Sequence, residues 1–168
     1  MRKNQKGFSL IELLIVVAII LIIAAIAIPN LLRSRIAANE ASAVGSVRTI
    51  VTGNVTYSSV YANGYAPSLA QLGGVGGSCN AGGFIDDVLA VTKQKSGYNF
   101  AYIGGAAVAV PPAGCAAAGV VTYETNAQPI TIGATGQRGF CTLADGVIRF
   151  VPTAPTAAGC PITLTPIQ

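Results

Sequence analysis

Lys6-Gly7-Phe8-Ser9-Leu10-Ile11-Glu12 runs straight into the apolar stretch from Leu13 to Ile28. Residues 8–28 match the roughly 20 apolar residues that cross about 30 Å of hydrocarbon at 1.5 Å per residue. Arg2, Lys3 and Lys6 stand before the stretch. Such cations favour the cytoplasmic side of a membrane segment, so everything after Pro29 is expected on the outside. Glu12 does not belong in a plain anchor. A charge inside a membrane segment costs about 2.5 to 3.5 kcal/mol on insertion scales, and such residues are usually paired and functional. Cleavage of an ordinary secretory signal after Ala24-Ala25-Ile26-Ala27 would leave that carboxylate unexplained.

The helical pattern does not stop at Pro29. Ala37, Ala41, Val44, Val47, Val51 and Val55 recur at spacings of three or four, which marks one buried face, while Arg33, Arg35, Glu40 and Arg48 fall off that stripe. The pattern predicts one helix from Phe8 to Tyr61, about 80 Å long at 1.5 Å per residue. Its first half is apolar all round and its second half amphipathic. Pro29 withholds an amide from the ladder and crowds the preceding turn, so it should bend or loosen the helix. Asn63-Gly64, with Pro67 soon after, supplies the stop.

Gly7-Phe8-Ser9-Leu10-Ile11-Glu12-Leu13-Leu14, with Pro29 beyond the apolar run, resembles the type III signal of type IV pilins and of the pseudopilins of type II secretion systems. The resemblance is strongest over residues 1–59. It implies that a prepilin peptidase cuts between Gly7 and Phe8 and N-methylates the new terminal Phe8. It makes Glu12 and Pro29 the assembly residues, with the stretch before Pro29 unwinding as the subunit enters a filament. The implied partners are further copies of the chain through helix–helix packing, the peptidase, an inner-membrane assembly platform with its assembly ATPase, and membrane lipid before assembly. The implied location is the bacterial inner membrane as a single-pass protein, then a surface pilus or a periplasmic pseudopilus.

The implied division is a cleaved leader over 1–7, a transmembrane and assembly helix over 8–29, the amphipathic half of the helix over 30–61, and a globular head over 62–168. The fold class expected is α+β and pilin-like: one long N-terminal helix packed against a small antiparallel sheet, with a disulfide-closed C-terminal loop. In the head, Ser68 to Leu72 reads as a short helical turn, Gly73 to Gly83 as a flexible loop, and Phe84 to Val91 as a second short helix. Tyr98 to Tyr102, Val120 to Tyr123, Gly139 to Leu143 and Val147 to Val151 read as strands. The last two are joined by Ala144-Asp145-Gly146, and Asp-Gly between such runs is a strong hairpin signal. The tail, with Pro152, Pro155, Pro161 and Pro166, reads as loop pinned by Cys160.

Cys79, Cys115, Cys141 and Cys160 lie past the membrane segment, where an oxidising compartment permits disulfides. Four cysteines allow three connectivities, and spacing alone does not choose among them. The expectation adopted is sequential pairing, Cys79 with Cys115 and Cys141 with Cys160, each bridge closing an irregular loop. A zinc site is disfavoured, since the chain has no His and no Cys-x-x-Cys. Asp86 and Asp87, the adjacent acid pair, are the calcium candidates, because some pseudopilins bind calcium. Ca²⁺ takes six to eight oxygen ligands and further acids are missing nearby, so a solvated helix start is the expected role and no metal is assigned.

The net charge of +4 is mostly a leader effect. Taking Arg2, Lys3 and Lys6 from the 10 basic residues leaves seven against 6 acidic ones. No cluster of Lys and Arg survives to neutralise phosphates, so nucleic acid is not expected as a partner except indirectly in DNA uptake. No catalytic constellation stands out, no cofactor is expected, and Gly73-Gly74-Val75-Gly76-Gly77 lacks the lysine of a phosphate loop. The reading is a structural subunit of a type IV pilus-like filament for adhesion, twitching motility or DNA uptake. The alternatives are a major-type pseudopilin of type II secretion and, from another class, a monomeric membrane-anchored binding module. Asn54-Val55-Thr56 fits a glycosylation acceptor pattern but falls within the predicted helix.

Overall fold

The computed structural model describes residues 8–151 and 159–167. Gly7, the leader cations, Pro152 and Pro155 lie outside the described residues. Helix α1 spans Leu10–Tyr61 and holds Pro29 within it. Contacts divide the chain into two units, one ending at Arg35 and the other running from Ile36 to Gln168. In the first unit the large apolar side chains from Leu10 to Leu32 are exposed along the helix.

The second unit is a helix layered on a five-stranded antiparallel sheet. Its strands are β1 (Gln94–Lys95), β2 (Tyr98–Gly104), β3 (Tyr123–Pro129), β4 (Gly139–Leu143) and β5 (Ile148–Val151), in the spatial order of the chain. The Asp145-Gly146 turn joins β4 to β5, pairing Phe140 with Phe150 and Thr142 with Ile148. Gly146 has φ +71°, a left-handed conformation that glycine adopts without a Cβ clash. Alternation puts Tyr98 and Phe100 of β2, Ala127 of β3, Phe140 of β4 and Ile148 of β5 into one core with Ala43, Val47, Ile50 and Tyr57 of α1. Each fully buried Val, Leu, Ile or Phe side chain contributes about 1.5 to 3 kcal/mol.

Three local expectations are corrected. The buried face of α1 is Glu40, Ala43, Ser46, Val47, Ile50, Gly53, Asn54 and Tyr57, sharing only Val47 with the aliphatic stripe, while Ala37, Ala41 and Val55 are exposed. Glu40 and Asn54 occupy the true stripe because each finds partners in the rest of the head, and Ser46 does so by donating to the Ser42 carbonyl within the helix. The second short helix is a π-helical turn at Val88–Thr92. Phe84 and Ile85 stay outside it and donate their amides to the Leu72 carbonyl.

The third strand starts at Tyr123 and continues through Glu124-Thr125-Asn126-Ala127-Gln128, and Val120 instead makes isolated bridges to Tyr65 and Ala107. Glu124, Asn126 and Ala127 have low strand preference, and cross-strand packing overrides it. The described part of the tail, residues 159–167, is loop pinned by Cys160, as expected, and its end is seated by an isolated bridge between Arg149 and Pro166. Phe150 donates its amide to Thr165 and Ile167 donates to Ile148, so residues 165–167 cover the free edge of β5.

Candidate functional site: the N-terminal segment and its head

Phe8 is 81 % exposed and precedes a helix start of the capping-box type. The Ser9 carbonyl accepts from the Leu13 amide at 3.3 Å, and the Ser9 amide donates to Glu12 Oε2 at 2.9 Å. Glu12 lies in the third position of α1, so its carboxylate folds back over the helix N-terminus and satisfies an amide that has no partner within the helix. The carboxylate therefore stays at the end of the apolar surface, beside the chain atoms of Phe8 and Ser9. Leu10, Leu13, Leu14 and Val17 line a shallow apolar hollow next to it. Among the described residues, α1 is the one helix long and apolar enough to cross a membrane.

In the head, Cys79 is bonded to Cys115 and Cys141 to Cys160, the sequential pairing. Tyr57 Oη donates to the Cys79 carbonyl at 2.8 Å, which ties the first bridge to the helix core. Cys141 on β4 connects the sheet to the tail that covers β5. Asp86 accepts from the Leu89 amide at 2.8 Å and pairs with Lys95 Nζ at 2.6 Å, and the Lys95 hydrogen bond holds its carboxyl below the ordinary range. Asp87 accepts weakly from Gly74 at 3.4 Å. The two carboxylates thus cap and brace the π-helical turn rather than converge. Among the described residues no group of three or more His, Cys, Asp or Glu side chains is placed to hold a metal ion.

Two residues that sequence reasoning set aside hold the head together. Glu40 is buried and accepts from the Gln137 and Arg138 amides at 3.0 and 3.1 Å through Oε1, and from the Arg138 guanidinium at 2.9 and 2.6 Å through Oε2. Burial pushes the Glu40 carboxyl up, but the Arg138 side chain and the two amides outweigh it and leave the group below the ordinary carboxylate range. Asn54 is fully buried. It donates to Ile50, and its Oδ1 accepts from the Ala66 amide at 3.1 Å and from Tyr102 Oη at 3.0 Å. Its side-chain nitrogen is therefore inaccessible to a glycan. The signal that could have found both residues was the alternating three-and-four spacing of positions 40, 43, 47, 50, 54 and 57, had polar residues been allowed on the stripe.

Residues 2–28 match the family model described as the prokaryotic N-terminal methylation motif, and the matches support a place for the chain in the type IV pilin and pseudopilin family. Among curated proteins, a 38-residue stretch is 66 % identical to the type IV wide pilus major component PilA4 of Thermus thermophilus. That stretch is 23 % of this chain and 29 % of that relative's length. No solved structure matches significantly.

Proposed function

We propose that this chain is the structural subunit of a type IV pilus-like filament, cut between Gly7 and Phe8, methylated on Phe8 and polymerised through α1. The observation that carries the reading is the carboxylate of Glu12, capping its own helix at the head of an uninterrupted apolar surface. Cleavage would create a cationic amine at Phe8, within the same first turn. In a polymer, the Glu12 carboxylate of a subunit already in place attracts the Phe8 amine of the next. Two unit charges at about 4 Å attract by about 4 kcal/mol at an effective dielectric of 20, against about 1 kcal/mol in bulk water. The pair would set the axial step between subunits while exposed Leu, Ile and Val side chains exchange lipid contacts for helix contacts.

No catalytic role is proposed for any residue, and the partners proposed beyond further copies are the processing peptidase, the assembly platform and its ATPase. The relative described as a pilus component favours a surface pilus over a secretion pseudopilus. Glu12→Gln tests the reading. The variant is expected to be cut and methylated in the membrane but to yield few filaments in the sheared fraction, because the neutral amide no longer attracts the amine. Wild-type filament yield from that variant would refute the pairing. Recovery of processed wild-type chain from the periplasm alone, with none in the sheared fraction, would favour the pseudopilus.

A further inference from the structure

Residues 13–32 contain no Asp, Glu, Lys or Arg, and charged side chains frame them, with Glu12 on one side and Arg33 and Arg35 on the other. From Glu12 to Arg33 the helix rises about 30 Å, which is the thickness of the hydrocarbon core of a bilayer. All of these residues lie on one continuous helix and within the unit that ends at Arg35. Leu31 is 69 % and Leu32 53 % exposed, so the apolar surface passes Pro29 and runs up to Arg33. At the other limit the Glu12 carboxylate is folded back on the Ser9 amide.

Arg33 and Arg35 are exposed, and among the described residues neither takes part in an ion pair. Two residues apart on a helix of about 3.6 residues per turn, they leave it on nearly opposite sides. They form no single pocket. Instead they reach outward in two directions at one level of the helix, immediately beyond its apolar surface. Their sign is informative as well. Cations on the outer side of a membrane segment run against the preference of Lys and Arg for the cytoplasmic side, so the insertion signal does not call for them.

We propose that Arg33 and Arg35 bind phosphates of anionic phospholipids in the outer leaflet and hold the unassembled chain with residues 13–32, rather than 8–28, in the hydrocarbon. A planar guanidinium donates two parallel hydrogen bonds to a phosphate, and the opposite directions of the two side chains let them engage separate lipids. The acids of a second copy do not compete for them, because Glu40, Asp86 and Asp145 are each paired within their own chain. The change of register moves the centre of the span from Ala18 to Ile22 and Ile23. It also takes Glu12 out of the hydrocarbon, where a charge is costly, and places it at the inner headgroup layer. The inference rests on the reading of α1 as a membrane segment before assembly, and adds to it the depth of the helix and the class of lipid that sets it.

The test reconstitutes the full chain in vesicles of phosphatidylglycerol and phosphatidylcholine. Separate samples carry a phospholipid with a photoreactive diazirine at the end of an acyl chain or in the headgroup, and adducts are mapped by peptide mass spectrometry. Acyl-end adducts are expected to centre on Ile22 and Ile23, and headgroup adducts to fall on residues 33–36. At those residues a phosphatidylglycerol probe should outlabel a phosphatidylcholine probe about fivefold, the ratio that corresponds to about 1 kcal/mol per cation near an anionic surface. Arg33→Gln combined with Arg35→Gln should bring that ratio close to unity, and because both side chains are exposed the core of the head is not disturbed. Adducts at the leader cations fall at separate positions and do not enter the ratio. Acyl-end adducts centred on Ala18, a wild-type ratio close to unity, or a preference that survives in the double variant would each overturn the proposal and leave α1 a membrane segment. Absence of acyl-end adducts anywhere along α1 would overturn the membrane reading itself.

Discussion

Removing the Glu40 side chain tests the account of the head most directly. In Glu40→Ala the Gln137 and Arg138 amides lose their acceptor, and the Arg138 guanidinium loses its partner. The Arg138 side chain is 53 % exposed, so water replaces most of that ion pair, which is worth about 1 kcal/mol or less. The amides bond a carboxylate only 9 % exposed, and hydrogen bonds to charged groups contribute about 1.5 to 3 kcal/mol. The expected loss is about 2 to 3 kcal/mol, or a fall in the melting temperature of the head of about 10 °C. Glu40→Gln keeps a carbonyl for the two amides and should lose about 1 kcal/mol. Thermal unfolding of the full chain in detergent, followed by near-ultraviolet circular dichroism, reads both.

The pH dependence has a definite sign. The folded Glu40 carboxyl lies below its ordinary value, so its stabilising contribution is present above the unfolded pKa, near 4.5, and is lost as pH falls through the folded value. As pH falls below about 4.5 the wild-type melting temperature should fall faster than that of Glu40→Ala. Equal and small losses for both variants, with parallel acid limbs, would refute the argument that Glu40 clamps the loop before β4 onto α1.

Asn54→Ala strands the Ala66 amide inside the core, while the Tyr102 hydroxyl keeps the Ala66 carbonyl as acceptor, and should cost about 1 to 3 kcal/mol, measured by urea unfolding of the full chain; the wild-type mass should show no glycan at Asn54. Cys141→Ser with Cys160→Ser opens a loop with a sequence separation of 19, which should cost about 3 kcal/mol on the chain-entropy account and release residues 165–167 from β5. Fast hydrogen exchange at the Ile167 amide of the double variant, unchanged at Phe100, is the expected signature, and unchanged protection at Ile167 would show that edge pairing alone holds the tail.

Much of this protein was legible because its signals are local. The apolar run after Gly7 reads as a membrane helix from composition alone, since burying a polar backbone in hydrocarbon leaves a helix as the workable form for a single segment. The Asp145-Gly146 turn declares its hairpin because the left-handed glycine and the flanking alternation lie within a few residues. The anomaly of Glu12 is equally local, a charge where hydrophobicity alone would forbid one.

What the sequence could not determine is what partners do across the head. Glu40 looks like a solvent-facing charge until Arg138, 98 residues later, brings a guanidinium and a backbone amide to it. Asn54 reads only as part of a glycosylation pattern within the helix until Ala66 and Tyr102 enclose it. A polar group belongs on a buried stripe only when its hydrogen bonds are met, and whether they are met is a property of the assembled core. The sequence by itself therefore determined the apolar helix, its misplaced carboxylate and the class of fold. The tertiary structure decided which face of the helix is buried, which strand carries Glu124 to Gln128 and how the tail closes the sheet. Each of those turns on pairing between residues distant in the chain, where local preference is overridden by the cost of an unsatisfied group.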